Sequence, residues 1–330
     1  MKIFLLILIF VNIYADNNSN GDKWTLKRSN FYYENDTFFL TDYGYTSGAR
    51  ISWLYEVENP RKDIYDIAPF NFGGSKTYRS FSMVNQIYTP EDTNETKLIT
   101  DDRPYAGWTY FEIGLHKSSR THLRSLNIRL GVVGRISGSE YLQNLIHSTI
   151  NEPKVKGWDN QLHNEIGLNL KYTHKWKFSY EQKNRFESSI IPFSEFELGN
   201  ISTKGTVGVA LRFGRNIQKD FGVSSINIGA EDGIPSYKQE FFSHKKKWGF
   251  SINMYNATSL IYRNIFLDGN TFKNSHSVKK NLLVGYSGLG FTLRYKQFVV
   301  DFMQVYTTSE FESEENGHLN GSLIFSWLYN

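Results

Sequence analysis

Ser125-Leu126-Asn127-Ile128-Arg129-Leu130-Gly131-Val132 decides the fold. Leu126, Ile128, Leu130 and Val132 share one face, and Ser125, Asn127, Arg129 and Gly131 share the other. Strict alternation of this kind is the mark of a β-strand with one dry and one wet side. The same pattern recurs on both sides. Ile166, Leu168, Leu170 and Tyr172 oppose Gly167, Asn169, Lys171 and Thr173, while Val207, Val209, Leu211 and Phe213 oppose Gly208, Ala210, Arg212 and Gly214. In a soluble sandwich the apolar face looks inward; in a transmembrane barrel it looks out to lipid and the polar face lines the lumen.

Three features favour the barrel. The strands approach the ~9–11 residues that cross a bilayer at a tilt. Their polar faces carry Arg, Lys, Asn and Gly, a wet-lumen composition. The last strand, Ser322 to Tyr329, sets Leu323, Phe325, Trp327 and Tyr329 on one face and closes the chain on aromatics, with Asn330 after them. Strand-like segments fall at 24–36, 45–56, 78–88, 106–118, 122–136, 163–177, 178–194, 204–216, 246–262, 279–296, 298–309 and 320–329. Twelve is even, as closure of a bacterial meander requires. The stretch 217–245 reads either as a long turn or as hidden strand. The expected fold is all-β, a twelve-stranded antiparallel transmembrane barrel with one short helix in an extracellular loop.

Composition agrees. The 330 residues include 21 Tyr, 25 Phe and 7 Trp and no cysteine. Abundant aromatics on a polar average suit interfacial girdles, and any metal site must use oxygen or imidazole ligands. Lys2, the apolar run from Ile3 to Ile13 and Tyr14-Ala15 read as a signal peptide, too short to span a bilayer as a helix. Residues 1–15 are therefore expected to be removed, leaving 16–330 as a single barrel domain. Taking Lys2 from the 37 basic residues leaves 36 against 33 acidic ones. That near-neutral balance argues against nucleic acid as the partner.

In a meander every second connection lies on one rim. Asn35-Asp36 closes the first strand, Tyr45-Thr46-Ser47-Gly48 opens the second, Gln86 to Pro90 closes the third, and Asp101 to Gly107 opens the fourth. The segment from Gly138 to Glu165 joins the fifth and sixth. These motifs converge on one mouth, which faces the cell exterior if both termini are periplasmic. The last segment holds the helix candidate. Ser137 with Glu140 three residues on forms a capping-box pattern, and Pro153 stops the helix. Gln143 and His147, four apart, share a face.

The runs Tyr33-Glu34-Asn35-Asp36, Tyr45-Thr46-Ser47-Gly48, Asp102-Arg103-Pro104-Tyr105-Ala106-Gly107-Trp108, Gln143-x-x-x-His147 and Gly157-Trp158-Asp159-Asn160-Gln161-Leu162 resemble the lipid A 3′-O-deacylase family. The motifs span Asn35 to about Glu165. The resemblance implies a monomeric twelve-stranded barrel in the bacterial outer membrane and a calcium-dependent hydrolase, with lipid A, the anchor of lipopolysaccharide, as substrate in the outer leaflet. It implies Asn35, Asp36, Thr46 and His147 as catalytic residues, with Ser47 the neighbour of Thr46 and His163 the competitor of His147.

For the chemistry, Ca²⁺ on Asp36 with loop carbonyls can polarise the ester, and His147 can activate water. A covalent intermediate on Thr46 or Ser47 is the second mechanism. Arg103, Ser47 and Gln143 are candidates for substrate binding. Arg103 either pairs with a lipid A phosphate or ties down its own loop, and Asp101-Asp102 reads as turn charge. Two other functions stand beside the deacylase: a non-catalytic pore and another outer-membrane lipid hydrolase.

Overall fold

The computed structural model describes residues 23–36, 44–58, 60, 75–181, 186–226, 231–236 and 247–329. The signal peptide expected at 1–15 lies outside them. Twelve long strands form one antiparallel ring: β1 Lys23–Asn35, β2 Gly44–Glu58, β3 Lys76–Thr89, β4 Ala106–Ser118, β5 His122–Val133, β6 Glu165–Trp176, β7 Glu187–Gly199, β8 Ser202–Arg215, β9 Trp248–Asn264, β10 Leu283–Tyr295, β11 Phe298–Thr307 and β12 His318–Leu328. Each pairs with the next, and β1 closes on β12 from Arg28↔Leu328 to Asn35↔Gly321. Closure leaves the ring without a free edge, the condition for strands to stand in lipid.

Alternation fixes the faces. Phe111, Leu130, Ile166 and Leu198 are more than half exposed on the outside. Their neighbours in sequence are buried inside, and the register sets opposite charges abreast. Glu112 faces Arg129 across β4 and β5, and Arg129 Nε donates to Glu112 Oε2 at 2.6 Å.

The seventh strand departs from expectation. It runs 187–199, not 178–194. Phe178–Glu181 continues β6, because the β6–β7 register from Asn169↔Gly199 to Lys175↔Phe193 resumes unchanged at Phe178↔Ile190. The ladder lapses opposite Pro192, which has no N–H to donate. The chain reverses between Glu181 and Glu187, and nothing in the alternation marks a turn at Lys177.

Of the stretch left open at 217–245, the described residues 217–226 and 231–236 fold inward into the ring. Its short pair Val223–Ser224 and Glu231–Asp232 sits inside the ring. Asp220 accepts from Arg28 Nη1 at 3.2 Å and from Arg212 Nη1 at 2.6 Å. Asp232 accepts from Arg50 Nη1 at 2.8 Å and from Ser52 Oγ at 2.6 Å. Burial pushes the Asp220 carboxyl up, but the guanidiniums of Arg212 and Arg28 outweigh it and hold it below the usual range. The guanidinium of Arg50 outweighs burial at Asp232 in the same way. Phe221 and Ile234 pack with Leu54, Leu123 and Ile191, and Ile226 reaches a second cluster with Tyr32, Tyr45 and Tyr88. At the far rim a one-turn helix, α2 (Ile265–Asp268), stacks Phe266 on Tyr88 with centroids 3.9 Å apart. The described residues thus pack into the lumen in two clusters, with a cavity of about 50 Å³ beside Arg28, Asp220 and Asp301.

Candidate active site on the outer wall

Along β1, Arg28, Asn30, Tyr32 and Glu34 point inward and are buried, so Phe31, Tyr33 and Asn35 point outward. Asn35 hydrogen-bonds Tyr33 on that outer face. Asp36 follows as a bend and is fully buried, its N–H donating to the Thr46 carbonyl at 3.2 Å. On β2 the register with β3 jumps between Tyr45↔Tyr88 and Ser47↔Ile87, leaving Thr46 as the extra residue of a β-bulge. Bulges re-aim side chains. Here the Thr46 and Thr89 hydroxyls meet at 2.6 Å, both buried. Ser47 is also buried, and its hydroxyl donates to the Glu34 carbonyl at 3.2 Å.

Thr89 belongs to the outward set of β3 with Met83, Asn85 and Ile87. The helix lies against that set. α1 spans Ser139–Ile150. Its first residue, Ser139, accepts at Oγ from Asn85 Nδ2 at 2.8 Å, and Ile87 packs with Tyr105, Val155 and Trp158. The helix therefore covers the outside of the wall rather than the lumen mouth. Two motif glycines permit this. A Cβ on Gly107 would lie 2.2 Å from the Ser139 side chain, and one on Gly157 would lie 2.4 Å from the Tyr105 ring.

The capping box does not form. Ser137 lies in a 3₁₀ turn, Arg135–Ser137, and Gly138 in the left-handed region (φ 72°) precedes α1. Ser137 Oγ instead accepts from the Ser139 N–H at 3.3 Å. Gly reaches that backbone conformation without strain, so the helix starts two residues beyond the predicted cap. It ends at Asn151, also left-handed, with Pro153 beyond.

Gln143 and His147 point the same way from α1, and each has one end fixed. Trp158 Nε1 donates to Gln143 Oε1 at 2.8 Å. The His147 Nδ1 lies 2.7 Å from the Pro153 carbonyl. A carbonyl only accepts, so Nδ1 carries the proton and Nε2 is the basic nitrogen. Gln143 is 2% exposed, and its Nε2 has no partner among the described residues. Two residues beyond the sequence candidates thus support the site. Thr89 stands at the end of the quoted Gln86–Pro90 run and Trp158 in the Gly157–Leu162 run, but neither carries a titratable or nucleophilic signal.

Other candidates lie elsewhere. His163 is exposed, and its main chain bonds the Asn270 side chain at 2.9 Å on each side. Arg103 is 1% exposed and donates to Glu310 Oε2 at 2.6 Å. Burial lowers its affinity for the proton, yet the Glu310 and Glu314 carboxylates raise it further. This geometry carries the loop-tying role. Asp102 accepts from the Glu91 and Arg103 N–H groups at 2.7 and 2.6 Å, as turn charge does.

For a metal, the donors on Asp36 and the strand it bonds are oxygens: the Asp36 carboxylate, the Thr46 carbonyl and the Thr46 hydroxyl, itself paired with that of Thr89. That set suits a hard cation such as Ca²⁺, and a buried carboxylate is ordinarily paired or metal-bound. Among the described residues no cluster of three or more His, Asp or Glu forms around it. Asp36 would be the side-chain anchor and neutral oxygens the remainder.

The family model described as Outer membrane protein LpxR matches residues 3–329. The structure superposes on LpxR from Salmonella typhimurium with a TM-score of 0.73 at 16% identity, covering 92% of this chain and 100% of that one, a likeness of fold. The β domain of the Bordetella autotransporter BrkA (TM-score 0.42, 7% identity, 94% and 100% covered) and the translocator domain of NalP from Neisseria meningitidis (0.37, 8%, 94% and 90%) are far more distant. No curated protein matches the chain. On the match over nearly its whole length, the chain belongs to the LpxR family of outer membrane proteins, the lipid A 3′-O-deacylases whose motifs its rim carries.

Proposed function

We propose that the protein hydrolyses the ester bearing the 3′-linked acyl or acyloxyacyl chain of lipid A in the outer leaflet of the outer membrane, with the crevice toward the cell exterior. The observation that carries this reading is the position of α1 on the outside of the barrel. There α1 carries His147 and the buried Gln143 beside the wall, where a substrate anchored in the leaflet reaches them laterally. His147 Nε2 takes a proton from the attacking water. Gln143 Nε2 donates to the oxygen on which negative charge develops. Thr46, held by Thr89, and Asn35 orient the ester from the wall side. Asp36 would hold Ca²⁺, which when bound would supply electrophilic stabilisation of the same developing charge.

Water is the preferred nucleophile over Ser47, whose hydroxyl proton is engaged by the Glu34 carbonyl. Thr46 remains the covalent alternative, and a trapped acyl-Thr46 would establish it. A passive pore is disfavoured by the inward residues Asp220 and Asp232, bound to lumen arginines. The protein acts as a monomer after loss of residues 1–15. Mass spectra of lipid A from cells with and without the gene test the reading. Loss of the 3′-linked acyl unit supports it, a change confined to glycerophospholipids supports another lipid hydrolase, and unchanged lipids overturn it. Activity that survives chelation in EGTA would remove calcium from the scheme.

A further inference from the structure

An amide side chain has two ends, and only one of them can stabilise an oxyanion. The end Gln143 offers is decided by a neighbour. Trp158 Nε1–H is a donor and nothing else, and it lies 2.8 Å from the Gln143 amide. It must therefore face Oε1. The carboxamide is then turned so that Nε2, with two N–H groups, is left buried without a partner among the described residues. An amide free to rotate would present either end, and the Oε1 end would repel developing negative charge. Trp158 is itself held firmly. It is 2% exposed, its ring lies 5.3 Å from the Tyr105 ring, and it packs on Ile87 and Val155. The Gly157 that precedes it lets that packing close.

We infer that Trp158 is a positioning residue for ester hydrolysis: its indole N–H locks the Gln143 carboxamide with the donor end toward the reacting carbonyl. The kinetic consequence rests on the deacylase reading; the hydrogen bond can be tested without it.

Trp158→Phe keeps the ring packing and removes the N–H. A donor aimed at an oxyanion acts mainly in the transition state. Removing one such donor outright costs about 100- to 1000-fold in kcat. The variant, which only unlocks the donor, is expected to lose roughly tenfold in kcat with KM nearly unchanged. In a Gln143→Ala background the same change is expected to add nothing, because the group it orients is gone. A further loss there, equal to that in the wild type, would reduce Trp158 to a packing residue and overturn the inference.

The second arm reads the bond directly. In detergent-solubilised protein, the Trp158 indole N–H resonance, identified by its absence in Trp158→Phe, is expected to exchange slowly with solvent. It should exchange faster in Gln143→Ala and stay protected in Gln143→Glu, whose carboxylate still accepts. Equal protection in all three sinks the inference. A wild-type protein that leaves lipid A intact but shows the expected exchange pattern would defeat the deacylase reading and leave the orienting bond established.

Discussion

In the proposed reaction, His147 and Thr46 each depend on a bond that fixes the side chain. The Pro153 carbonyl fixes the His147 tautomer, and Thr89 holds the Thr46 hydroxyl. His147→Ala is expected to lower lipid A deacylation by about 100-fold or more, the usual worth of a general base. The barrel should remain intact, since the His147 ring bonds the Pro153 carbonyl of its own loop. Turnover of purified protein in mixed micelles measures it; a variant with wild-type turnover would move the base elsewhere, with His163→Ala as the comparison. The sequence placed Asn35, Asp36, Thr46, Gln143 and His147 on one rim through motif and meander logic. It did not show that Thr46 is a bulge residue, because a bulge is a property of two strands in register, and Tyr45-Thr46-Ser47 read alone continues the alternation. Nor did it show Arg103 bound to Glu310, a partner 207 residues away that no local pattern announces.

A helix seated on a strand wall needs wall positions with no side chain, and Gly107 is one. Gly107→Leu places its Cβ 2.2 Å from Ser139 and must lift α1 off the wall. The side chain faces outward, where the barrel tolerates bulk. The expected outcome is a folded, heat-modifiable barrel on electrophoresis with at least tenfold lower activity, on the scale a misplacement of about 1 Å can bring. Protease cleavage within 135–164 should rise. Full activity with unchanged cleavage would mean that contact between helix and wall is dispensable. At this scale the strands were readable wherever lipid on one side and polar lumen on the other force a period of two. The bounds of the seventh strand, read at 178–194, slipped to 187–199, since the sixth strand overruns the membrane-length segment and its alternation gives no sign of where it ends. The helix cap slipped by one residue, because Gly138 in the left-handed region takes the cap from Ser137.

Over the whole molecule, the inward segment lies inside the barrel, bound to lumen arginines. A sequence pattern of short, mixed polarity at 217–236 reads as neither strand nor helix, and its place is set by distant lumen charges that only closure of the ring brings within reach. Those charges make the lumen filling sensitive to acid. Asp220 and Asp232 have depressed carboxyl pKa values in the folded protein, each through its Arg partners. A depressed carboxylate contributes stability that is fully present above its ordinary value, 3.8 for Asp, and is lost as the pH falls through the lower, folded value. The urea midpoint of the barrel in detergent is therefore expected to be level from pH 7 to about 4 and to fall below that. Asp220→Asn should lower it at pH 7, since Arg28 and Arg212 lose a charged acceptor in a buried site, a cost of about 3 kcal/mol. In planar bilayers at pH 7 the wild-type protein should show no steady conductance. The Asp220→Asn, Asp232→Asn double variant should show intermittent openings as the segment leaves the lumen. A wild-type barrel that conducts steadily, or a double variant as silent and as stable as its parent, would mean that these ion pairs do not hold the lumen shut.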